Sequence, residues 1–452
     1  MDLLVGLDLG TTSFKAAAYD LTGVEIATSR VPTPWISDAN GARITATILE
    51  TASTEVLADC LSKLEGNFRV LGLGITGMSE SGFIVDSSGN AVTPAYSWRD
   101  ESGADASAAL RETFGTDQFS ARTGLPISLR LSIVKAHMQI SRVPSARENL
   151  VWLSLPEWVS KSLGGSSDPE ACQAARTGMF NIGKRRWDAD LLSWAGLAPT
   201  AMRAPRTAGE SWGCASRGDR HIVGATITLA GQDHVCAALG ANAVDATDVF
   251  DSLGTGEAVI RSVPADFDPD MLLKAVKSGF TVGMHVLPGR GLYMAGLGTG
   301  ARLSHVLTKL GVAGSKEYCS LCEAALSAES PEPPRWVVEA IELGLTSAPV
   351  NSDTADGLGR AETWRAALDL ASRRCAEAVQ RLDAVAGNHE RIVAAGGWFQ
   401  SAAFTEMRRS ILGEMIVPPT NEAASRGAAM LAGVAAGVYG THADIPRPVA
   451  TT

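Results

Sequence analysis

Residues 3–20, LLVGLDLGTTSFKAAAYD, contain two apolar segments separated by a short turn. Residues 3–7 are typical of a buried strand, and residues 13–19 of a second strand. Because a short turn containing glycine joins them, the stretch predicts a β-hairpin. Asp8 ends the first strand, where a buried carboxylate is costly unless a positive charge lies opposite it. This carboxylate is therefore the first candidate functional residue.

The composition limits the class of protein. The chain has 452 residues, of which 45% are hydrophobic and 19% charged, and its formal net charge is −10. This length predicts two domains, and the composition is that of a soluble globular protein. The negative charge argues against nucleic acid or an anionic membrane surface as the main partner, but not against a small anionic ligand. With no signal-peptide pattern and no run of about 18 apolar residues, we expect a cytoplasmic protein without a membrane span.

The seven cysteines do not form a recognisable framework. Cys319 and Cys322 make a CxxC pattern inside a predicted helix, but no second pair or histidine follows at metal-ligand spacing. We therefore interpret the cysteines as core thiols.

Strands and helices alternate along the chain. Helical spacing of apolar residues predicts helices at 45–64, 401–412 and 422–437, and a further helix through 368–382. Short apolar runs predict strands between these helices, at FRVLGLGIT, RIVAAGG and MIVPP. This alternation indicates an α/β fold.

A weak internal repeat connects the two halves of the chain. Residues 249–262, VFDSLGTGEAVIRS, repeat the order of the opening stretch: apolar strand, Gly-Thr turn, apolar strand. Glycine lets backbone N–H groups approach anionic oxygens, and threonine adds a hydroxyl donor. One Gly-Thr turn usually means only a tight turn. Two in corresponding places indicate a site that grips one polyphosphate from both sides.

A competing signal is GLGITG at residues 72–77, which fits the G-x-G-x-x-G dinucleotide-binding pattern after a predicted strand. The segment that follows has strand and turn character, with a turn at 86–90, and predicts no helix. Without that helix the pattern lacks the N-terminus that would bind a pyrophosphate. We therefore reject the interpretation of this chain as a dehydrogenase.

Four segments resemble motifs of the FGGY carbohydrate kinases, a family of the actin-like ATPase fold class. Residues 6–20 resemble the first phosphate motif, and residues 252–260, SLGTGEAVI, the second. Residues 395–413, AGGWFQSAAFTEMRRSILG, resemble the adenosine motif. Residues 230–240, AGQDHVCAALG, resemble the segment that carries the catalytic aspartate. Weaker similarities occur between them in the expected order, so the resemblance covers nearly the whole chain.

The resemblance implies an α/β fold of two actin-like (ribonuclease H-like) domains with an ATP cleft between them. We place the first domain, on the sugar side, at 1–244, the second, with the second phosphate and adenosine motifs, at 245–440, and a tail at 441–452. Residues 324–360 lack a loop signature that many family members carry and are expected to form a reduced flank of the second domain. Subunit contacts inferred from relatives cannot be transferred across that segment, so a homodimer is neither predicted nor excluded.

The two Gly-Thr turns and the adenosine motif supply the ATP site that the resemblance implies. Its predicted residues are Gly10, Thr11, Thr12, Lys15, Gly254, Thr255, Gly256, Gly300, Gly396 and Gly397. Asp8 and Asp233 are the predicted ligands of the Mg²⁺ that accompanies ATP, because Mg²⁺ prefers carboxylate and phosphate oxygens. A magnesium ion also gives the carboxylate of Asp8 the positive partner that it needs. For Lys15, a role as a solvated strand residue is as good an interpretation as a phosphate contact.

Asp233 is the predicted catalytic residue. Phosphoryl transfer requires positioning, charge neutralisation and a base oriented toward the attacking hydroxyl. An aspartate before the small-residue segment VCAALGA can lie at a helix N-terminus, where its charge is stabilised. For an isolated aspartate an N-cap would be the better interpretation. The resemblance favours a base, and both roles remain compatible.

The predicted acceptor pocket contains Ser79, Glu80, Trp98, Asp100, Arg130 and Asp233. In residues 75–81, ITGMSES, glycerol kinases have Arg-Glu where this chain has Ser-Glu, and xylulokinase-like enzymes have Met-His. Glycerol kinases also have a tyrosine where this chain has Arg130. Glycerol is therefore disfavoured, and a ketose or polyol of about four to six carbons is favoured. Core packing remains the alternative for Trp98, and a surface salt bridge for Arg130.

Together these features predict an ATP-dependent kinase that transfers the γ-phosphoryl group to a hydroxyl of a small ketose or polyol, with a pentulose such as xylulose as the first candidate. A sugar acid is a further candidate acceptor, because the guanidinium of Arg130 can pair with a carboxylate. The alternative from another class is an actin-like ATPase that acts as a regulator or chaperone without sugar phosphorylation. Such a protein usually needs an added DNA-binding or peptide-binding segment, and the sequence shows no sign of one.

Overall fold

The computed structural model describes residues 1–38, 41–143, 149–344 and 357–448. Its strands are β1 Asp2–Leu9, β2 Ser13–Asp20, β3 Glu25–Pro32, β4 Ile36–Asp38, β5 Gly41–Ile44, β6 Arg69–Gly77, β7 Gly82–Val85, β8 Ala95–Tyr96, β9 Val151–Ser154, β10 Phe180–Asn181, β11 Arg186–Trp187, β12 Thr226–Gln232, β13 Asp248–Leu253, β14 Glu257–Pro264, β15 Thr281–Met284, β16 Arg290–Gly296, β17 Arg391–Ala395 and β18 Met415–Ile416.

Its α-helices are α1 Ala46–Ser62, α2 Ala104–Phe114, α3 Thr116–Thr123, α4 Ser132–Ile140, α5 Leu155–Ser162, α6 Ala171–Arg176, α7 Ala189–Trp194, α8 Asp233–Gly240, α9 Pro269–Lys277, α10 Thr299–Lys309, α11 Ser315–Leu326, α12 Arg335–Val338, α13 Arg360–Ala386, α14 Ala402–Leu412 and α15 Ala423–Ala435. A π-helical turn occupies Glu339–Leu343, and 3₁₀ turns occupy Gly397–Gln400 and His442–Asp444.

The opening stretch forms the predicted hairpin at the centre of a five-stranded sheet with the order β12-β6-β1-β2-β3. β1 pairs antiparallel with β2, so that Leu9 lies opposite Phe14 across the turn. β1 also pairs parallel with β6, and β6 pairs parallel with β12. The carboxyl ends of these three parallel strands therefore lie at the same edge of the sheet.

Helices cover both faces of this sheet, which explains why its central strand is a continuous apolar run. Side chains alternate between the two faces of a strand. Leu3, Val5 and Leu7 accordingly pack in one buried cluster with residues of α1, and Leu4 packs in another with Ala429 of α15.

The second large sheet repeats the arrangement of the first around the second Gly-Thr turn. Its strand order is β15-β16-β14-β13-β17-β18. β13 pairs antiparallel with β14, and parallel with β17. Both predicted Gly-Thr hairpins are therefore confirmed, each at an antiparallel pair whose first strand also has a parallel neighbour.

The chain forms two compact units whose boundaries differ from the predicted domains. The first contains the described residues of Met1–Val244, Ser262–Tyr293 and Glu422–Thr452, and the second contains those of Asp245–Arg261 and Met294–Asn421. The break predicted at residue 244 coincides with one of these boundaries. A contiguous second domain at 245–440 and a separate tail at 441–452 do not match this grouping, because α15 packs on β1, β6 and β12 of the first unit.

The predicted helices are present within a residue or two, except that the helix through 368–382 is longer than its apolar pattern. No helix follows residues 72–77, which form the end of β6, and residues 86–90 make the expected turn. Of the flank at 324–360, residues 345–356 lie outside the described residues, and the rest includes α12 and the π-helical turn.

Candidate active site

Asp8 lies at the carboxyl end of β1, where it is 5% exposed. Its cross-strand neighbour is Lys15. The Nζ atom of Lys15 lies 4.0 Å from Asp8 Oδ2 and 2.7 Å from Glu422 Oε2. Burial, opposed by the charge of Lys15 and assisted by the charge of Asp233, raises the pKa of Asp8 to about 7. Two carboxylates thus act on each other at this edge of the sheet.

The carboxylate of Asp8 fits a bound cation. Its Oδ1 is buried and has no hydrogen-bond partner among the described residues. A buried acceptor left in this state is costly unless a ligand satisfies it. Hard divalent cations such as Mg²⁺ take carboxylate oxygens as ligands. The donor set of Asp8 with the nearby Asp233 is therefore suitable for magnesium.

The Gly-Thr turn after β1 is held by three side chains. Thr33 Oγ1 donates to the carbonyl oxygen of Gly10 at 2.7 Å. Trp35 Nε1 donates to the carbonyl oxygen of Thr11 at 2.8 Å, and Trp98 Nε1 donates to the hydroxyl of the same threonine at 2.7 Å. These contacts orient the turn through its oxygen atoms.

Asp233 lies where the chain leaves β12 and enters α8. The pairing of β12 with β6 is irregular after Leu229, and Gly231 has φ +71. Asp233 is the first residue of α8, and its Oδ1 accepts the N–H of His234 at 2.8 Å. The N-cap is Gln232, so the N-cap role considered for Asp233 is wrong. The carboxylate is only partly buried and lies at the positive end of the helix.

The residues that follow β6 complete this edge of the sheet. Ser79 is buried, and its hydroxyl donates to Gln173 Oε1 at 2.9 Å. Gln173 Nε2 in turn donates to the carbonyl oxygens of Gly77 and Gly231, which join the ends of β6 and β12. The Ser79 hydroxyl is thus part of an internal network at the position where the sequence analysis placed a substrate contact.

Glu80 has an ion-pair partner that the sequence analysis did not identify. Arg176 of α6 donates from Nε to Glu80 Oε1 at 2.9 Å, and its Nη2 lies 2.7 Å from the same oxygen. Both side chains are largely buried. Asp8 near the end of β1, Glu80 shortly after β6 and Asp233 directly after β12 thus lie at the carboxyl ends of three adjacent parallel strands. Open α/β sheets bind their ligands at this position.

Of the other predicted acceptor residues in the first unit, Trp98 is partly buried, Asp100 is buried and Arg130 is exposed. Arg130 Nη2 lies 2.9 Å from Glu101 Oε1, and both side chains are at least half exposed. The guanidinium carbon of Arg130 is also 5.4 Å from the centroid of the Trp98 ring. The surface salt bridge considered for Arg130 is thus present, and a contact with substrate stays a prediction.

A cavity of about 350 Å³ opens beside Trp35 and beside Ser97 and Arg99, the two sequence neighbours of Trp98. Its lining residues include Thr11 of the phosphate turn, the buried Asp100, and Glu101. Asp100 Oδ1 accepts the N–H of Ser102 at 3.0 Å, which fixes the carboxylate at the cavity wall.

In the second unit, the predicted nucleotide residues surround the second Gly-Thr turn. The N–H of Gly254 donates to the carbonyl oxygen of Gly256 at 2.9 Å and closes the turn. The N–H of Ala301, in the first turn of α10, donates to the carbonyl oxygen of Thr255 at 2.8 Å. A Cβ at Gly300 would overlap the backbone of this turn, so only glycine permits the approach.

The adenosine motif reaches the same turn from β17. Gly396 has φ +130, and a Cβ there would overlap the carbonyl of Leu253. Trp398 Nε1 donates to the carbonyl oxygen of Gly254 at 3.1 Å. A Cβ at Gly397 would meet open space. Residues 254–256, Gly300 and the two motif glycines thus form one cluster.

A buried charge cluster below this turn was missed. Asp251 of β13 and Glu257 of β14 flank the turn, and Arg408 of α14 lies between them. Arg408 Nη2 donates to Asp251 Oδ2 at 2.8 Å and also to Glu257 Oε1. All three side chains are at most 1% exposed. The available sequence signal was an acidic residue three positions before Gly254 and another directly after Gly256, but their shared partner lies 157 and 151 residues away.

Sequence comparison matches the chain to a family. Residues 3–240 match the model described as the FGGY family of carbohydrate kinases, N-terminal domain. The glycerol kinase of Aromatoleum aromaticum is 27% identical over 481 residues, covering 97% of this chain and 91% of that protein. The glycerol kinase of Thermus brockianus is 26% identical over 481 residues, covering 99% and 92%.

Solved structures show the same fold. The gluconate kinase of Lactobacillus acidophilus has a TM-score of 0.80 at 19% identity, covering 98% of this chain and 91% of that one. The ligand-bound xylulose kinase of the same organism has a TM-score of 0.79 at 18% identity, with the same coverage. The Plasmodium falciparum glycerol kinase with ADP has a TM-score of 0.79 at 16% identity, covering 100% and 93%.

The fold is that of the sugar kinases of the actin-like ATPase class, as the resemblance implied. The chain belongs to the FGGY family of carbohydrate kinases, phosphotransferases that use ATP and an alcohol group as acceptor. Among the described residues, no helix has both the length and the apolar character needed to cross a bilayer.

Proposed function

We propose that this chain is a Mg²⁺-dependent kinase for a ketose or polyol of about four to six carbons, with a pentulose such as xylulose as the specific acceptor. Asp8, Glu80 and Asp233 at one edge of the first sheet are the observation that carries this proposal. A carboxylate with an unsatisfied buried oxygen and a second carboxylate at a helix N-terminus supply the two acidic groups that phosphoryl transfer needs.

In this mechanism Asp233 accepts the proton of the attacking acceptor hydroxyl. Its carboxylate is partly exposed, so an acceptor can reach it, and the helix N-terminus stabilises its charge until the proton arrives. Asp8, with Asp233, would hold Mg²⁺, which neutralises charge on the transferring phosphoryl group when bound. Lys15 compensates the carboxylates of Asp8 and Glu422.

The two clusters around the Gly-Thr turns are the proposed phosphate ligands. Each Gly-Thr turn, at residues 10–12 and at residues 254–256, is proposed to contact phosphate oxygens of ATP. A Cβ at Gly397 would meet open space, which supports room for the nucleotide there, and Gly300 and Gly396 are proposed to shape the same site by letting their backbones pack closely on residues 253–255.

The acceptor contacts are proposed for Glu80, Trp98, Asp100, Arg130 and Asp233. Ser79 stands where glycerol kinases have an arginine, and its hydroxyl is committed to Gln173. The Arg-Glu pair and the tyrosine expected of a glycerol kinase are therefore not both available to bind glycerol. This favours a longer acceptor that the remaining polar groups can bind. A cytoplasmic location is also proposed, supported by seven cysteines that are all free.

Coupled measurement of ADP release across xylulose, ribulose, erythritol, gluconate and glycerol tests this proposal. We expect the highest kcat/KM for a pentulose, and activity that depends steeply on hydroxyl stereochemistry, because an unpaired polar group in the site is strongly penalised. Glycerol as the best acceptor would overturn the substrate proposal. ATP hydrolysis that no carbohydrate stimulates would overturn the assignment of a carbohydrate acceptor altogether.

A further inference from the structure

Lys135 is a buried lysine of α4 that the proposed mechanism does not use. The residue is 1% exposed. Its Nζ donates to the backbone carbonyl oxygen of Glu80 at 2.8 Å, and no carboxylate of the described residues lies within 4.0 Å of it. Burial lowers the pKa of Lys135 to about 7, against the opposing effect of the Glu80 and Asp100 charges. A lysine amine buried with so few partners is costly, so its one hydrogen bond needs a structural reason.

The contact fixes a strained residue. Glu80 has φ +61, in the left-handed region that a residue with a Cβ rarely adopts. Such a conformation is energetically unfavourable and persists only when the surroundings hold it. Lys135 holds the carbonyl group of this residue, on the main chain, and Arg176 holds its side chain.

The two contacts together orient one carboxylate oxygen. Both contacts from Arg176 go to Glu80 Oε1. Arg176 is itself fixed, because its Nη1 donates to Thr281 Oγ1 at 2.9 Å. With the main chain and Oε1 both held, rotation about the side chain of Glu80 is restricted, and Oε2 is directed to a defined place.

We propose that Lys135 is a positioning residue, which holds the main chain of Glu80 in its left-handed conformation so that Oε2 is presented to a hydroxyl of the acceptor. This inference rests on the proposed function for the identity of the acceptor. The conformational part, that Lys135 maintains Glu80, stands without it. Lys135 acts through Glu80 and touches neither acceptor nor nucleotide.

Lys135→Met tests the proposal, because methionine keeps an unbranched chain and removes the donor. The KM of the best acceptor should rise about tenfold or more, the factor that loss of a hydrogen bond to a charged group typically costs. The KM of ATP should change less than about twofold. Equal increases in both KM values would indicate a general structural role and would overturn the proposal.

A matched control is Lys161→Met. Lys161 also donates from Nζ to a backbone carbonyl oxygen, that of Gly89, at 2.6 Å in a turn of the same unit. The substitution Lys161→Met should leave the KM of the acceptor and the KM of ATP unchanged.

A double-mutant cycle with Glu80→Ala separates positioning from an independent contribution. If Lys135 acts only through Glu80, then Lys135→Met should have little further effect on acceptor KM in the Glu80→Ala background. Additive effects of the two substitutions would contradict the proposal.

A crystal structure of Lys135→Met gives a readout independent of activity. Glu80 should leave the left-handed region, and a Glu80 that kept φ near +60 would overturn the inference. A displaced Glu80 in an enzyme that phosphorylates no carbohydrate would instead refute the proposed function alone. If Lys135→Met does not fold, Lys135→Gln replaces it: its shorter, neutral donor should raise acceptor KM selectively by at least about threefold, and an unselective change would overturn the proposal.

Discussion

At the scale of single residues, the site depends on carboxylates in unequal surroundings. Asp8 is buried beside Lys15 with one oxygen unsatisfied, whereas Asp233 is partly exposed at the beginning of α8. The buried group has its pKa raised to about 7, chiefly by burial. The exposed one can meet an incoming hydroxyl. The difference in surroundings supports a metal-binding role for the first and a proton-accepting role for the second.

Asp233→Asn should lower kcat at least about 10²-fold, because it keeps the shape of the side chain and removes the base. ATP affinity should change little in a direct binding measurement. Asp105→Asn is the control, since Asp105 is an exposed aspartate in the first turn of α2. A variant Asp233→Asn that retained near-normal kcat would show that another group accepts the proton.

At the scale of elements, the β13–β14 hairpin owes its stability to a helix from far along the chain. The phosphate turn connects two strands that carry Asp251 and Glu257, and Arg408 of α14 bridges them. The adenosine motif lies directly before that helix. The cluster therefore joins the two proposed nucleotide-binding segments through buried charge, and removing the arginine would leave two unpaired carboxylates in the core.

The pH dependence of stability should report this cluster. Burial raises the pKa of Asp251 to about 7 against the lowering effect of Arg408, from an ordinary value of 3.8. Between these two values the folded protein keeps a proton that the unfolded chain has released, so stability falls as pH rises toward 7. Between pH 5.5 and 8.5 the wild type should lose about 2 kcal/mol through this group.

Asp251→Asn should remove that loss, because the amide does not ionise. Urea unfolding of both proteins at pH 5.5 and 8.5 measures the difference. Should the two proteins show the same change between these pH values, Asp251 would not hold the proton.

At the scale of the whole molecule, the chain returns to the sheet where it began. α15 packs directly on β1 and β6 because glycines leave room for its backbone. A Cβ at Gly6 would overlap the carbonyl of Ser425, and a Cβ at Gly74 that of Ala428. The last helix therefore belongs to the first unit, although more than 340 residues separate Gly77 at the end of β6 from Ala423 at the start of α15.

Gly74→Ala should destabilise the protein by about 3 kcal/mol or more, at or above the upper end of overpacking effects, because rigid backbone cannot yield. Gly283→Ala is the matched control in another strand, where the nearest atom to the added Cβ would be 3.5 Å away. Chemical denaturation compares the two variants. Equal losses would mean that α15 does not approach β6 this closely.

The sequence predicted elements whose signal is local. Residues 3–20 and 249–262 contain strand, turn and strand within a few positions, and both hairpins are present. Contacts between distant segments left no such signal. Arg176 pairs with Glu80 across 96 residues, and Arg30 donates to Glu422 across 392. Lys135 was overlooked because its apolar helix face gave no indication of a buried charge.

The glycine-lined contact of α15 also has a consequence for biosynthesis. A ribosome adding about 5–20 residues per second needs roughly 20–70 s to proceed from the end of β6 to the start of α15. During that interval the nascent chain has made β1, β2 and β6 but not the helix that shields one of their faces. The N-terminal half therefore cannot complete its folding while it emerges from the ribosome. Its completion is deferred until the polypeptide is nearly finished, and until then an apolar sheet surface is exposed to chaperones and to neighbouring nascent chains.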